Sequence, residues 1–85
     1  MSYVVLWRKN ARDELTNLWL DSPDRNDITS ATAKIDTLLA DSPLYEGYPL
    51  RSSVHRRLSV PPLGVLYEVI EDDKRVIVLA VFEMT

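Results

Sequence analysis

The sequence predicts an α+β fold, with a helical hairpin packed on one face of a mostly antiparallel four-stranded sheet in the order β-α-α-β-β-β. Two runs rich in β-branched residues, 63–70 and 75–82, flank the charged segment 71–74, a pattern typical of a β-hairpin. Two apolar stripes at helical spacing come earlier in the chain. Because residues 76–82 are apolar on both faces of a strand, we expect that strand at the centre of the sheet, paired also with the first strand.

One domain, covering residues 1–85, is expected from the length of the chain. With 46% hydrophobic and 27% charged residues, the chain has the composition of a globular protein. It has no cysteine and one histidine, so we expect no disulfide, no metal site and no other cofactor. A domain this small buries a modest part of its surface, which favours a partner protein that supports the fold.

Targeting signals and charge limit the cellular setting. No signal-peptide pattern and no apolar segment of about twenty residues is present, so we expect a cytoplasmic protein without a membrane partner. The net charge of −3 argues against nucleic-acid binding through the overall field. The interval between Glu46 and Glu68 nevertheless contains no acidic residue. A local basic patch is therefore predicted there, formed by Arg51, His55, Arg56 and Arg57.

The first half of the chain predicts a strand and two helices. Residues 3–7 are five consecutive strand formers. The first helix is predicted over 9–20 with Asn10 as its cap, and the second begins at a cap formed by Ser22 or Asp24 and ends before Pro43. The short link between them predicts an antiparallel hairpin. Its apolar stripes are Ala11, Leu15, Leu18 and Trp19 on the first helix and Ile28, Ala31, Ile35, Leu38 and Leu39 on the second.

Residues 50–60 predict a strand with one apolar and one polar face. Ser52 and Arg56 interrupt the apolar face, and Pro61 and Pro62 end the strand because they cannot donate ladder hydrogen bonds. The apolar face consists of Leu50, Val54, Leu58 and Val60, and the polar face of Arg51, Ser53, His55, Arg57 and Ser59.

The polar face of this strand is the sharpest candidate for a site. Same-face residues stand about 6.7 Å apart along a strand, so its arginines could bind successive phosphates of a single-stranded nucleic acid. The alternative is a solvated sheet face with ordinary surface arginines. The candidate nucleic-acid-binding residues are Arg51, Ser53, His55, Arg56, Arg57, Tyr45 and Tyr48.

Acidic and aromatic residues supply the remaining candidates. Glu46, in a loop beside the arginines, could act as a general base, or it could form only a weak surface pair. Tyr45 and Tyr48 could stack on bases or seal an edge of the core. Trp7 and Trp19 fit the apolar patterns and are expected in the core.

The order and spacing of these motifs resemble the RelE/ParE toxin superfamily over the whole chain. The segments that carry the resemblance are Ala11…Leu15…Leu18-Trp19, Ile35…Leu38-Leu39…Pro43, Arg56-Arg57-Leu58-Ser59-Val60, 64–69 and 75–81. The resemblance implies the toxin of a bacterial type II toxin–antitoxin pair, which a cognate antitoxin protein holds inactive. It implies either ribosome-dependent mRNA cleavage, as in RelE-like members, or DNA gyrase inhibition, as in ParE-like members. A non-catalytic interaction module with the same fold is the other alternative.

Individual positions match the family only in part. Arg57 matches the first arginine of an Arg-Leu-Arg-Val strand, but Ser59 stands where the second would be. Gly64 replaces an arginine that is frequently catalytic, and the last strand ends in Phe82-Glu83-Met84-Thr85 instead of carrying Arg, His or Tyr. Glu46-Gly47 resembles a family branch in which the glutamate is the general base. For RNA cleavage by 2′-hydroxyl attack, the resemblance implies Glu46 as the base and Arg51 or Arg57 as the cation at the phosphate.

Overall fold

The computed structural model describes residues 2–50 and 55–84, which form two helices packed on one face of a mixed sheet. The sheet order is β1-β5-β4-β3-β2, with β1 parallel to β5 and the other pairs antiparallel. This architecture confirms the predicted α+β class and the pairing of the first strand with the last. The elements are β1 (Val4–Trp7), α1 (Lys9–Asp21), α2 (Arg25–Asp41), β2 (Tyr48–Pro49), β3 (His55–Val60), β4 (Leu63–Ile70) and β5 (Arg75–Glu83).

The described residues contain five strands, so the prediction of a four-stranded sheet is wrong by one. The additional strand, β2, has only two residues, which pair with Arg56 and Arg57 of β3. The predicted strand 50–60 is seen only from His55 onward, and residues 51–54 lie outside the described residues. Leu50 precedes that gap, and its N–H donates to the His55 carbonyl at 3.0 Å.

The predicted N-cap residue is correct for α2 and wrong for α1. Asp24 caps α2 and accepts a hydrogen bond from the N–H of Asp27 at 3.3 Å, as predicted. Arg8, not Asn10, is the N-cap of α1. The Asn10 amide instead donates to the carbonyl of Leu79 at 3.2 Å and ties α1 to β5. Neither α1 nor α2 combines the length and apolar character needed to cross a bilayer.

The core lies between the helices and one face of the sheet. Side chains alternate across a strand, so the same strands present a second face on the side away from the helices. We call this second surface the open face. Residues on it include Val4, Leu6, His55, Arg57, Ser59, Gly64, Leu66, Glu68, Ile70, Ile77 and Phe82. The buried core residues are Ala11, Ile28, Ala31, Ile35, Leu39, Leu58, Val60, Leu63, Val65, Tyr67, Val69, Val76, Val78 and Val81.

Candidate functional site

Arg57 is the cation that the structure places most clearly on the open face. Its guanidinium carbon lies 4.6 Å from the centre of the Phe82 ring, a cation–π distance. Its Nε–H is buried and has no hydrogen-bond partner among the described residues. A buried donor without an acceptor carries a desolvation cost that a ligand oxygen would relieve.

Phe82 lies beneath Arg57 because Gly64 leaves room for it. Gly64 and Phe82 are cross-strand partners in β4 and β5. A Cβ added to Gly64 would collide with two ring carbons of Phe82 and would lie 3.1 Å from Sδ of Met84. The space above Gly64, where the resemblance implies an arginine, is therefore filled by an aromatic ring.

The other members of the predicted polar face are more mixed in charge than expected. His55 and Ser59 lie on the same side of β3 as Arg57, opposite the buried Leu58. The cross-strand neighbour of His55 is Glu68, with 3.9 Å between Nε2 and Oε1. The carboxylate of Glu68 thus lies beside a predicted polar row in which every charged member is basic. Arg51 and Ser53, predicted to continue the row, lie outside the described residues.

Arg56 points to the helix side of the sheet, where it holds the loop before β2. Its Nε and Nη2 groups donate to the carbonyl of Glu46 at 3.3 and 3.2 Å, and Nη2 also reaches the carbonyl of Gly47 at 3.4 Å. Nε further donates to the hydroxyl of Tyr67 at 3.3 Å. These partners engage the guanidinium inside the fold, on the opposite face from Arg57. A nucleic-acid contact by Arg56 remains only a prediction.

Tyr67, a residue that the sequence did not single out, completes this anchor. The side chain is fully buried, and its hydroxyl oxygen lies 2.8 Å from the carbonyl of Pro43 and 2.7 Å from that of Glu46. One hydroxyl proton serves one carbonyl at a time, while the oxygen accepts from Arg56. Burial raises the pKa of Tyr67 above its usual 10.0, against the opposing effect of the Arg56 charge.

The loop anchored by Tyr67 packs through Gly47 against the backbone of Arg57. Gly47 has a φ of 66° and packs so tightly on the Arg57 carbonyl that a Cβ could not fit. The N–H of Glu46 donates to the Ser42 carbonyl at 2.9 Å. The backbone on both sides of Glu46 is therefore held in place. The carbonyl of Glu46 faces Arg56 and Tyr67 on the helix side of the sheet, whereas the Arg57 guanidinium lies on the open face. The role of the Glu46 carboxylate as a base remains a prediction.

The aromatic residues divide differently from the sequence prediction. Tyr45 and Tyr48 are 90% and 51% exposed, so both are accessible for stacking. Trp7 is half-buried, packs against the core and donates from Nε1 to Asp36 at 2.8 Å. Trp19 is 37% exposed, so its expected place in the core is wrong.

Trp19 instead lines a groove of about 420 Å³ between α1 and α2. Arg25 covers its ring at 4.6 Å, and its Nε1 donates to Thr29 at 3.2 Å. The groove is also lined by Leu15, Thr16, Ile28, Thr32, Ala33 and Asp36. Its apolar floor resembles a surface for a protein side chain more than one for a phosphate. Among residues 2–50 and 55–84, no cluster of three acidic or histidine side chains could hold a metal ion.

Several solved structures with the same fold come from toxin–antitoxin systems. No family model and no curated protein matches the sequence. The RelBE2 toxin–antitoxin complex from Mycobacterium tuberculosis matches with a TM-score of 0.82 and 21% identity, over 98% of this chain and 92% of that chain. The isolated RelE toxin from E. coli matches with a TM-score of 0.73 and 20% identity, over 99% and 86%.

A ParDE system from P. aeruginosa matches with a TM-score of 0.72 and 14% identity, over 99% of this chain and 98% of that chain. Coverage is nearly complete in both directions, so the shared fold is the whole domain and not one motif. At these identities the likeness is one of architecture. The chain therefore has the fold that these RelE and ParE toxin structures share.

Proposed function

We propose that the protein is the toxin of a bacterial type II toxin–antitoxin pair, acting in the cytoplasm and held inactive by an antitoxin protein. The observation that carries this proposal is the fold, shared over 98% or more of this chain with structures from RelBE and ParDE systems. Fold alone does not determine function, so the features of the surface must support the same conclusion.

The exposed apolar surface supports a protein partner. Scattered exposed apolar residues are ordinary, but contiguous ones indicate an interaction site. Val4 and Leu6 lie together at one edge of the sheet, and Trp19 and Leu20 lie together at the end of α1. The exposed large apolar side chains are Val4, Leu6, Trp19, Leu20, Leu44, Tyr45, Tyr48 and Leu50. An antitoxin that covers part of this surface would also stabilise a small domain.

For the toxic action itself, the open face supports binding to a target protein more than RNA cleavage. Phosphodiester cleavage requires positive charge at the phosphate and a proton donor for the leaving oxygen. Phe82 fills the space above Gly64, Arg57 stacks on that ring, and Glu68 adds a negative charge nearby. This arrangement favours inhibition through a protein contact, as implied by ParE-like gyrase inhibitors.

A ribosome-dependent endoribonuclease is the second candidate, favoured by the buried Nε–H of Arg57, which has no hydrogen-bond acceptor among the described residues. Glu46 would take the proton from the 2′-hydroxyl that attacks the phosphorus, and Arg57 would stabilise charge on the phosphate with its unpaired Nε–H. The bond to the 5′-oxygen would break, and the ribosome would supply the proton that this leaving oxygen takes up. Arg51 is the other proposed cation. Tyr45 and Tyr48 would stack on bases, and Ser53 and His55 would contact the RNA backbone.

The two candidates are tested by inducing the chain in bacteria and measuring growth, mRNA integrity and gyrase supercoiling in parallel. We expect growth arrest, reduced supercoiling and intact mRNA from the wild type. Arg57→Ala should weaken arrest in both mechanisms, whereas Glu46→Gln should weaken it only if RNA is cut. Arg75→Ala, which removes an exposed arginine from the start of β5, is the matched control. Normal growth with abundant wild-type protein would refute the toxin proposal.

A further inference from the structure

The groove between α1 and α2 has a charge without an ion partner at each end. At one end the Asp36 carboxylate accepts a hydrogen bond from Nε1 of Trp7 at 2.8 Å, and no cation of the described residues forms an ion pair with it. At the other end Arg25 covers the ring of Trp19 and has no carboxylate partner within the described part of the chain. The groove therefore offers one anion and one cation to a molecule that lies along it.

Arg25 is held at its end of the groove by the last turn of α1. Its Nε and Nη2 groups donate to the carbonyls of Trp19 and Leu20, each at 3.2 Å. No hydrogen bond of its Nη1 group is found among residues 2–50 and 55–84. The cation is thus fixed by two backbone carbonyls and an aromatic ring, and one nitrogen is left for a carboxylate from outside the chain.

The surface between the two charges is apolar or already hydrogen-bonded. Ala33 and the ring of Trp19 line it. The Thr32 hydroxyl donates to the Ile28 carbonyl at 2.8 Å, and the Thr29 hydroxyl accepts from Nε1 of Trp19 at 3.2 Å. An occupant of the middle of the groove therefore gains from apolar contact and packing, and its charges must meet the two ends.

The outward residues of α2 repeat at the spacing at which helices pair. Arg25, Thr29, Thr32 and Asp36 follow one another at steps of four, three and four residues, as in the seam of a coiled coil. The two threonines are small, so a second helix can approach closely at the middle of this seam. The seam is separate from the buried stripe of α2, which consists of Ile28, Ala31, Ile35 and Leu39.

This seam is complementary to its own reverse. Two antiparallel copies of α2, centred between residues 30 and 31, place Arg25 opposite Asp36 of the second copy and Thr29 opposite its Thr32. The two charges are 11 residues apart, about 16 Å along the helix. A two-fold axis repeats every contact, so both cations and both carboxylates find a partner in the pair.

We propose that two copies of this chain associate through α2, antiparallel about a two-fold axis, with Arg25 of each copy bound to Asp36 of the other. This association goes beyond the proposed toxin function and does not depend on it. The seam is short and each copy carries a net charge of −3, so the dimer is weak and exchanges with the monomer. The open face, on the other side of the sheet, stays accessible in the dimer.

Charge reversal gives two variants that should fail alone and associate when mixed. Arg25→Glu places acids opposite each other and Asp36→Lys places cations opposite each other, so each change should weaken self-association about tenfold or more. In a mixed dimer the new acid of one variant faces the new cation of the other, and the unchanged Asp36 faces the unchanged Arg25. Association should therefore return on mixing.

Sedimentation velocity over protein concentrations from about 1 μM to 1 mM measures the monomer–dimer equilibrium. Asp27→Lys is the matched control, because it makes the same change of charge on α2 but lies beside Pro61 and Pro62, in a different groove. It should associate as the wild type does. Urea unfolding verifies that each variant is folded before its association is measured.

Disulfide trapping tests the register without altering either charge. The chain has no cysteine of its own. Under mild oxidation, Thr29→Cys mixed with Thr32→Cys should give the mixed disulfide dimer, because the two positions face each other across the axis. Ser30→Cys mixed with Thr32→Cys is the control, since Ser30 lines the groove on the other side of α2. It should cross-link much more slowly.

A wild-type dimer that is lost in each charge-reversed variant and recovered in their mixture supports the proposal. A wild type that stays monomeric up to about 1 mM overturns it, as does a dimer that neither reversal weakens. Two folded variants that remain monomeric when mixed also overturn it, because Arg25 and Asp36 would then not face each other. If Arg25→Glu does not fold, the cysteine variants decide, and equal cross-linking in the two mixtures overturns the proposal.

Discussion

Arg57 and Phe82 form a cation–π pair across the open face, with 4.6 Å between the guanidinium carbon and the ring centre. The pair occupies the position that the RelE/ParE resemblance assigns to catalytic cations. It depends on Gly64, which alone leaves space for the ring. The placement of Phe82 beneath Arg57 therefore requires a glycine at position 64.

Gly64→Ala should destabilise the fold by about 1–3 kcal/mol, because the new methyl group would overlap the ring of Phe82. Chemical denaturation measures the change. In a Phe82→Ala background, Gly64→Ala should lower the free energy of unfolding much less, because the obstructing ring is gone. Equal costs in the two backgrounds would show that Phe82 does not rest on Gly64.

Tyr67→Phe should lower the free energy of unfolding by about 1–3 kcal/mol, because it removes the hydroxyl donor from the buried carbonyl of Pro43 or Glu46 and one of the two acceptors of the Arg56 Nε–H. The expected loss is read from urea unfolding at neutral pH. Tyr3→Phe is the control, since the Tyr3 ring is covered by Lys74 and no hydrogen bond of its hydroxyl is found among the described residues.

The raised pKa of Tyr67 predicts a loss of stability at alkaline pH. Its pKa is above 10.0 in the folded protein, so the folded state holds the proton more tightly than the unfolded chain. The resulting stability is fully present below pH 10 and is lost as the pH rises from there through the folded pKa. Tyrosinate absorbance should show a late-titrating group that disappears in Tyr67→Phe. A titration unchanged by the substitution would contradict the buried hydroxyl.

Arg56→Lys should loosen the loop at Glu46 and Gly47 even though the charge is kept. A lysine cannot reproduce the forked contacts to two carbonyls and a hydroxyl. We expect a cost of about 1–2 kcal/mol and faster hydrogen exchange at Gly47. Arg75→Lys, at an exposed position, should change neither quantity.

Asp24→Ala should destabilise the protein by about 1 kcal/mol through loss of the cap on α2. Thermal unfolding of Asp24→Ala and of Asp72→Ala, in the exposed turn before β5, gives the comparison. A loss no greater than that of Asp72→Ala would mean that the cap contributes little.

Much of the fold could be predicted because its signals are local. The β-branched runs predict β4 and β5. The apolar stripe at helical spacing predicts α2, and Asp24 predicts where that helix begins. The two-residue β2 was missed because it depends on pairing with β3 and not on any pattern of its own. The prediction of Trp19 in the core was wrong because helical spacing shows which side chains share a face of α1, but not whether another element covers that face.

The candidate site was harder to predict, since its contacts join residues far apart in the chain. Alternation correctly set Arg57 apart from Leu58, but it could not show that Arg56 would meet Tyr67 and the loop at Glu46. The position of Arg56 on the apolar face of the predicted strand is a usable signal, because a partly buried charge requires acceptors nearby. Glu68 was overlooked beside His55 because cross-strand register cannot be read from either strand alone.

The measurement that tests the central claim most directly is bacterial growth after induction of the chain, alone and together with the protein encoded beside it. The account predicts arrest when the chain is expressed alone and recovery when the two are co-expressed. Growth equal to that of an empty-vector culture, with the wild-type chain folded and abundant in the cells, would contradict it.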